Sequence, residues 1–241
     1  MGKAKKSVLK LLPPDWREVM FDHASQPCWL QSRPKLLPAL SVLWLTGCRP
    51  AELESGVQIA YLRDGLAIEV TGAKCSDDKQ TERGQPVRRY LFKTPATEKP
   101  HPALAVLLSM AAQDVAANGI GHATVRHNAD YLYNSIVTLG KATFPKLRTR
   151  VSPYCFRHQA ASDLKADPTV SLEDAAQFMG HLSDYSIGKY GRAVHGKRGG
   201  ARVKPAMVKT SRPVKHSPKV DKLARFKIAS ANSQRKLRQN V

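Results

Sequence analysis

The apolar positions of the chain fall into blocks whose period changes twice. From about Asp15 to Ser25, and again over the strongly apolar run from Pro34 to Thr46, they recur at helical spacing, and Gly47 breaks the second block. The period then shortens to two. Residues 57 to 62 (VQIAYL), the turn RDG, residues 66 to 71 (LAIEVT) and residues 87 to 93 (VRRYLFK) predict three strands of an antiparallel sheet, with a polar excursion from Gly72 to Pro86. From His101 onward the helical period returns, over roughly 102 to 117, 128 to 142, 154 to 166, 171 to 179 and 184 to 190. Ser171 with Asp174 makes a capping-box start for the fourth of these. There is no internal repeat. A small three-stranded sheet packed among many helices predicts an α+β, mainly α domain over residues 1 to 195.

Charge changes the picture at the C-terminus. The chain of 241 residues carries 39 Lys plus Arg against 19 Asp plus Glu, a net +20. Residues 197 to 241 hold 14 of those cations and a single acid, Asp221, so this stretch supplies +13. With few large apolar groups and several Pro and Gly, residues 196 to 241 are expected to form a basic, mostly disordered tail, with a short helix around 220 to 229. The overall excess implies a polyanionic partner, above all nucleic acid. No run of about 18 apolar residues exists and the start MGKAKKSVLKLLPPD lacks a signal-peptide core, so the expectation is a cytoplasmic protein without a membrane span. Cys28, Cys48, Cys75 and Cys155 are scattered without C-x-x-C pairing, which argues against a disulfide framework and against a zinc site.

The chemistry-bearing residues sit in four fragments: TGCRPAEL (46 to 53), TGAKCSDDK (71 to 79), SPYCFRHQAASDL (152 to 164) and GHLSDYSIGKY (180 to 190). Taken together, in this order and spacing, they resemble the tyrosine recombinase and phage integrase family, whose catalytic domain would cover residues of roughly 10 to 195. The resemblance rests on Arg49 with Glu52, on Lys74, on Arg157 with His158, and on His181 with Tyr190 nine residues later. It implies a DNA breaking and rejoining enzyme in which Arg49 and Arg157 clamp the scissile phosphate, Lys74 protonates the departing 5′ oxygen, and His181 holds a non-bridging oxygen. His158 would assist by hydrogen bonding or accept the proton of Tyr190, the nucleophile of a 3′-phosphotyrosyl link. Such chemistry needs preorganised cations where the phosphodiester gathers charge, and the planar, permanently charged fork of arginine suits that task. On this resemblance no metal ion or cofactor is expected; the partners expected are double-stranded DNA and three further copies of the chain, as a homotetramer on paired sites.

Within the resemblance several points stay open. Tyr154 stands where the family carries the first histidine of H-x-x-R-H; at i−3 and i−4 from Arg157 and His158 it shares their helical face. Lys74 and Lys79 both lie in the excursion between strands, Lys74 being the better match. Of the two phenols near the end of the body, Tyr185 falls in a first helical turn capped by Ser183 or Asp184 and is expected to pack back on the fold. Tyr190 lies between Lys189 and Gly191, where a mobile segment could swing it toward a phosphate. Only 48 residues precede Arg49, so the separate DNA-clasping domain usual in the family is expected from a partner protein, or its work from the basic tail. A type IB topoisomerase, a telomere resolvase, or a catalytically silent DNA-binding protein of the same fold are the alternatives.

Overall fold

The computed structural model describes residues 5–75, 84–94, 99–196, 203–221, 225 and 229. Two short helices, α1 (Trp16–Ala24) and α2 (Pro27–Ser32), lead into α3 (Leu36–Thr46), which is apolar on nearly every side. A helix of that composition is stable only when surrounded. Residues 39 to 46 are all buried, and α3 packs against α5 (Pro102–Asn118) and α7 (Pro153–Ala166). Proline at the first helical position of α4 (Pro50–Ser55) restarts the chain after Gly47. Two further helices are α6 (Ala129–Thr143) and α8 (Leu172–Phe178). Ser171 caps α8 as expected: its Oγ accepts from the amide of Asp174 at 2.9 Å, and its own amide donates to the Asp174 carboxylate at 3.2 Å.

The helices enclose one face of an antiparallel sheet. Strands β1 (Val57–Leu62), β2 (Gly65–Thr71) and β3 (Val87–Lys93) match the three expected from the alternation, with Ile59 opposite Ile68 and Ile68 opposite Tyr90. Val57, Ile59, Leu66, Ile68, Val70, Tyr90 and Phe92 form its buried face. The sheet nevertheless has five strands, not three, in the order β4-β1-β2-β3-β5. Strand β4 (His122–Val125) pairs with β1 and β5 (Met207–Thr210) with β3. Both are four-residue edge strands. In β4 only Val125 is buried and in β5 no residue is, so neither carries the apolar alternation that reveals a strand in sequence.

Strand β5 also corrects the reading of the C-terminal segment. Residues 203 to 221, expected from composition to lack order, are held by backbone pairing and polar clasps, with Val220 buried in the core and Val203 and Val208 packed against it. The Gln85 side chain donates to the Arg212 carbonyl at 2.8 Å and accepts from its amide at 3.0 Å. The buried Asp184 carboxylate bonds the Ser217 amide at 2.9 Å and His216 Nδ1 at 2.7 Å, and Lys204 pairs with Asp167. The helix expected over 220 to 229 lies largely outside the described residues. The stretch expected as a helix over 184 to 190 is instead a 3-10 turn, Asp184–Lys189, capped by Ser183 and followed by extended backbone at Tyr190.

Ending the chain after Gly196 removes β5 and leaves the outer edge of β3 unpaired. Native-state hydrogen exchange should then show loss of protection at the β3 amides that face β5 while α3 amides keep theirs. Equal protection in the full and shortened chains would contradict the pairing.

Candidate active site

Four elements meet where the sheet's inner face abuts the start of α4, the middle of α7 and the turn after α8. Arg49 is the residue that precedes α4, and its position is set by Glu52 one turn on. The Arg49 amide donates to Glu52 Oε2 at 2.7 Å and its Nη1 donates to Oε1 at 2.6 Å, so the motif R-x-x-E closes on itself. Glu52 is fully buried. Burial alone would push its carboxyl up, but the guanidiniums of Arg88, Arg49 and Arg157 prevail and hold it at about 2.

Arg157 projects from α7 with no exposure to solvent. Its Nη1 donates to the Gly47 carbonyl at 2.8 Å and its Nη2 to the Met179 carbonyl at 2.7 Å. Burial, together with the charges of Arg49 and Arg88, pushes its pKa below the ordinary arginine value. His181 Nε2 lies 3.3 Å from Arg157 Nη2. Burial and then Arg157 and Arg49 depress His181 to about 2, so the imidazole is neutral at any physiological pH. Because Arg157 can only donate, Nε2 accepts and Nδ1 carries the hydrogen. That Nδ1, like Arg157 Nε, is buried without a hydrogen-bond partner among the described residues.

Tyr190 fills the space between these groups. Its ring lies 4.8 Å from the Arg157 guanidinium carbon, stacks on the His181 ring at 5.0 Å with 25° between planes, and sits 5.5 Å from the His158 ring. Burial opposes ionisation of the phenol. Arg157 and Arg49, both within hydrogen-bonding reach, outweigh it and hold the phenol below its ordinary value. The expected mobile segment is a tethered one: Lys165 on α7 donates to the carbonyls of Tyr190 and Gly191 at 3.0 and 2.6 Å. Gly191 itself presses on α7, where an added Cβ would lie 2.0 Å from Ser162 Oγ and 2.2 Å from the His158 carbonyl oxygen.

The structure thus brings together Arg49, Arg157, His158, His181 and Tyr190. It treats the other candidates differently. Tyr154 is half-buried at the second position of α7, one turn before Arg157 and on the same helix. Lys74 is exposed in the β2–β3 loop, and among the described residues no contact joins its amine to the cluster. Its neighbour Cys75 feels the charges of Glu52 and Arg49, so the stem of that loop borders the site. Lys79 lies outside the described residues. Tyr185, expected to pack back on the fold, is 47% exposed, with the amines of Lys219 and Lys189 at 5.6 and 5.9 Å from its ring.

One residue of the cluster escaped the sequence reading. Arg88 lies on the inner face of β3, in phase with Tyr90 and Phe92, and is buried. Its Nη2 donates to Glu52 Oε2 at 2.6 Å and its Nη1 to the Met179 carbonyl at 2.9 Å. The signal was present: an arginine at the i−2 and i−4 positions of two buried aromatics on a strand faces inward and needs a buried anion.

The cluster sets three guanidiniums and one carboxylate beside a phenol. No protein-family model matches the chain, and no curated protein matches it. Among solved structures, the crystal structure of XerA recombinase is similar with a TM-score of 0.45 and 22% identity, over 73% of this chain and 57% of that one. The chain therefore spans a little over half the length of that recombinase.

Gly180, at φ +69°, lies against Arg88, and an added Cβ would stand 2.2 Å from Arg88 Nη1. Gly180→Ala is expected to lower the free energy of unfolding in urea by more than the ~1–2 kcal/mol of the left-handed backbone alone. Gly188→Ala, where a Cβ meets nothing within 4 Å, should stay within about 0.5 kcal/mol of the parent. Equal effects at the two glycines would contradict the packing around Arg88.

Proposed function

We propose that the protein cuts and rejoins DNA strands as a tyrosine-type site-specific recombinase, with Tyr190 as the nucleophile. The observation that carries this reading is the placement of one phenol between a buried guanidinium and a neutral imidazole, with a second guanidinium at its hydroxyl. The motif resemblance supports it, as does the net charge of +20. A structural tyrosine needs one hydrogen-bond partner; this one is surrounded by cations that stay charged while buried.

In the proposed reaction the Tyr190 oxygen attacks the phosphorus of a DNA phosphodiester, the phenolic proton leaves to His158 or solvent, and the bond from phosphorus to the 5′ oxygen breaks. The products are a 3′-phosphotyrosyl link and a free 5′ hydroxyl, which takes its proton from Lys74. A 5′ hydroxyl of another strand then attacks the same phosphorus and releases Tyr190. Arg49 and Arg157 neutralise the non-bridging oxygens as charge builds on them, and the orphaned His181 Nδ1–H is a further donor for that purpose. The lowered phenol raises the phenolate fraction near neutral pH, so the same cations serve nucleophile and transition state. Exchange between two duplexes calls for four copies on paired sites. Basic residues of the C-terminal segment add phosphate contacts that carry no sequence information.

The test is a nicked duplex drawn from the flanks of the protein's own gene, incubated without added metal and resolved under denaturing conditions. The parent and Tyr185→Phe should each form a covalent protein–DNA adduct, whereas Tyr190→Phe should form none while still shifting the duplex in a native gel. An adduct that survives in Tyr190→Phe would contradict the assignment.

A further inference from the structure

We infer that Arg88 is a positioning residue that locks the two arginines of the site to each other, an inference that rests on the strand-transfer reading above. Its guanidinium is split between two acceptors. One is Glu52 Oε2, at 2.6 Å, and Glu52 in turn holds the backbone and side chain of Arg49. The other is the Met179 carbonyl, at 2.9 Å, which Arg157 also uses at 2.7 Å. Arg49 arrives from the start of α4 and Arg157 from α7, and the acceptor that both reach, the Tyr190 hydroxyl, lies on a separate segment after the 3-10 turn. Arg88 is the group that touches the anchor of both.

The surroundings fit a connector better than a ligand-binding group. The Arg88 side chain is 1% exposed, and where the Tyr190 ring lies over Arg157 at 4.8 Å, both terminal nitrogens of Arg88 are taken by Glu52 and the Met179 carbonyl. Its placement demands specific neighbours: strand β3 turns it inward, and Gly180 offers a bare backbone where a side chain would collide with Nη1. The glycine of the Gly180–His181 pair therefore has a physical reason, since it lets the guanidinium reach Met179 while the next residue presents its imidazole to Arg157. A charge-balancing role alone would be met by any cation beside Glu52. Reaching a carboxylate and a carbonyl on separate elements at once requires the planar fork, and a lysine ammonium in its place holds one of them well and not both.

Three readouts on Arg88→Lys decide the matter, because this variant keeps the charge. The first is the titration of Tyr190 in the DNA-free protein, taken as the ultraviolet difference between each protein and its Tyr190→Phe counterpart. The second is the single-turnover rate of adduct formation on the nicked duplex, and the third is duplex affinity. If Arg88 positions the pair, Tyr190 of the variant titrates at higher pH than in the parent and adduct formation slows about 100-fold, the scale of a roughly 1 Å misplacement, with little change in affinity. Arg88→Met, which loses both contacts, should go further in the same direction; should it fail to fold, the lysine variant decides alone. A lysine variant with the parent's titration and rate would reduce Arg88 to a counter-charge and overturn the inference. Should the parent itself form no adduct, the strand-transfer reading falls, and the Tyr190 titration alone judges whether Arg88 positions the cluster.

Discussion

The Glu52 carboxylate accepts three hydrogen bonds at 2.6 to 2.7 Å, from the amide and guanidinium of Arg49 and from the guanidinium of Arg88, and it does so with no exposure to water. Two of its donors sit on its own helix start and the third on a strand, so one anion fixes the angle between α4 and the sheet. A buried carboxylate with two cationic partners stays ionised, and removal of any partner would leave an uncompensated charge in the interior. The same carboxylate keeps the guanidiniums of Arg49 and Arg88 from repelling each other out of the pocket. Arg157 completes the group by a different device, donating to the Gly47 and Met179 carbonyls rather than to an acid.

Three guanidiniums against one carboxylate leave the pocket with a surplus of positive charge. Burial first and then that surplus keep His181 neutral, and the surplus outweighs burial in lowering the phenol of Tyr190. The phenol ring covers the face of Arg157 through a cation–π contact at 4.8 Å. Lys165 and the bare backbone of Gly191 hold that ring against α7. On the proposed reading, a phosphate entering the pocket takes over the charge balance now served by the phenol's oxygen.

Much of this was written in the chain. The apolar run of α3, the alternation of β1 to β3, the capping box of α8 and the pairing of Arg49 with Glu52 are local signals, and each appears where the pattern places it. Arg157, His158, His181 and Tyr190, up to 33 residues apart, converge as their motifs imply. What the pattern missed has non-local causes. Strands β4 and β5 are ordered by a ladder to a neighbour rather than by their own apolar face, and composition says nothing of a polar clasp such as Gln85 on Arg212. Arg88 was hidden because its partner lies 36 positions upstream. Tyr185 was misplaced for the reverse reason: a capped turn fixes where the chain turns, not which ring meets solvent.

The most direct test of the account is the protonation of Glu52 itself, followed through its side-chain carboxyl carbon by NMR and assigned with Glu52→Gln. The guanidiniums of Arg88, Arg49 and Arg157 hold this carboxyl at about 2 against an ordinary 4.5. Since the folded value is the lower one, Glu52 stabilises the fold above pH 4.5, and that stability should drain away as pH falls toward 2. The predicted result is a carboxylate that stays ionised until the pH nears 2, with unfolding stability dropping over the same window. A Glu52 that protonates near 4.5 with the fold intact would mean that the three donors do not converge on it, and the cluster as described would not exist.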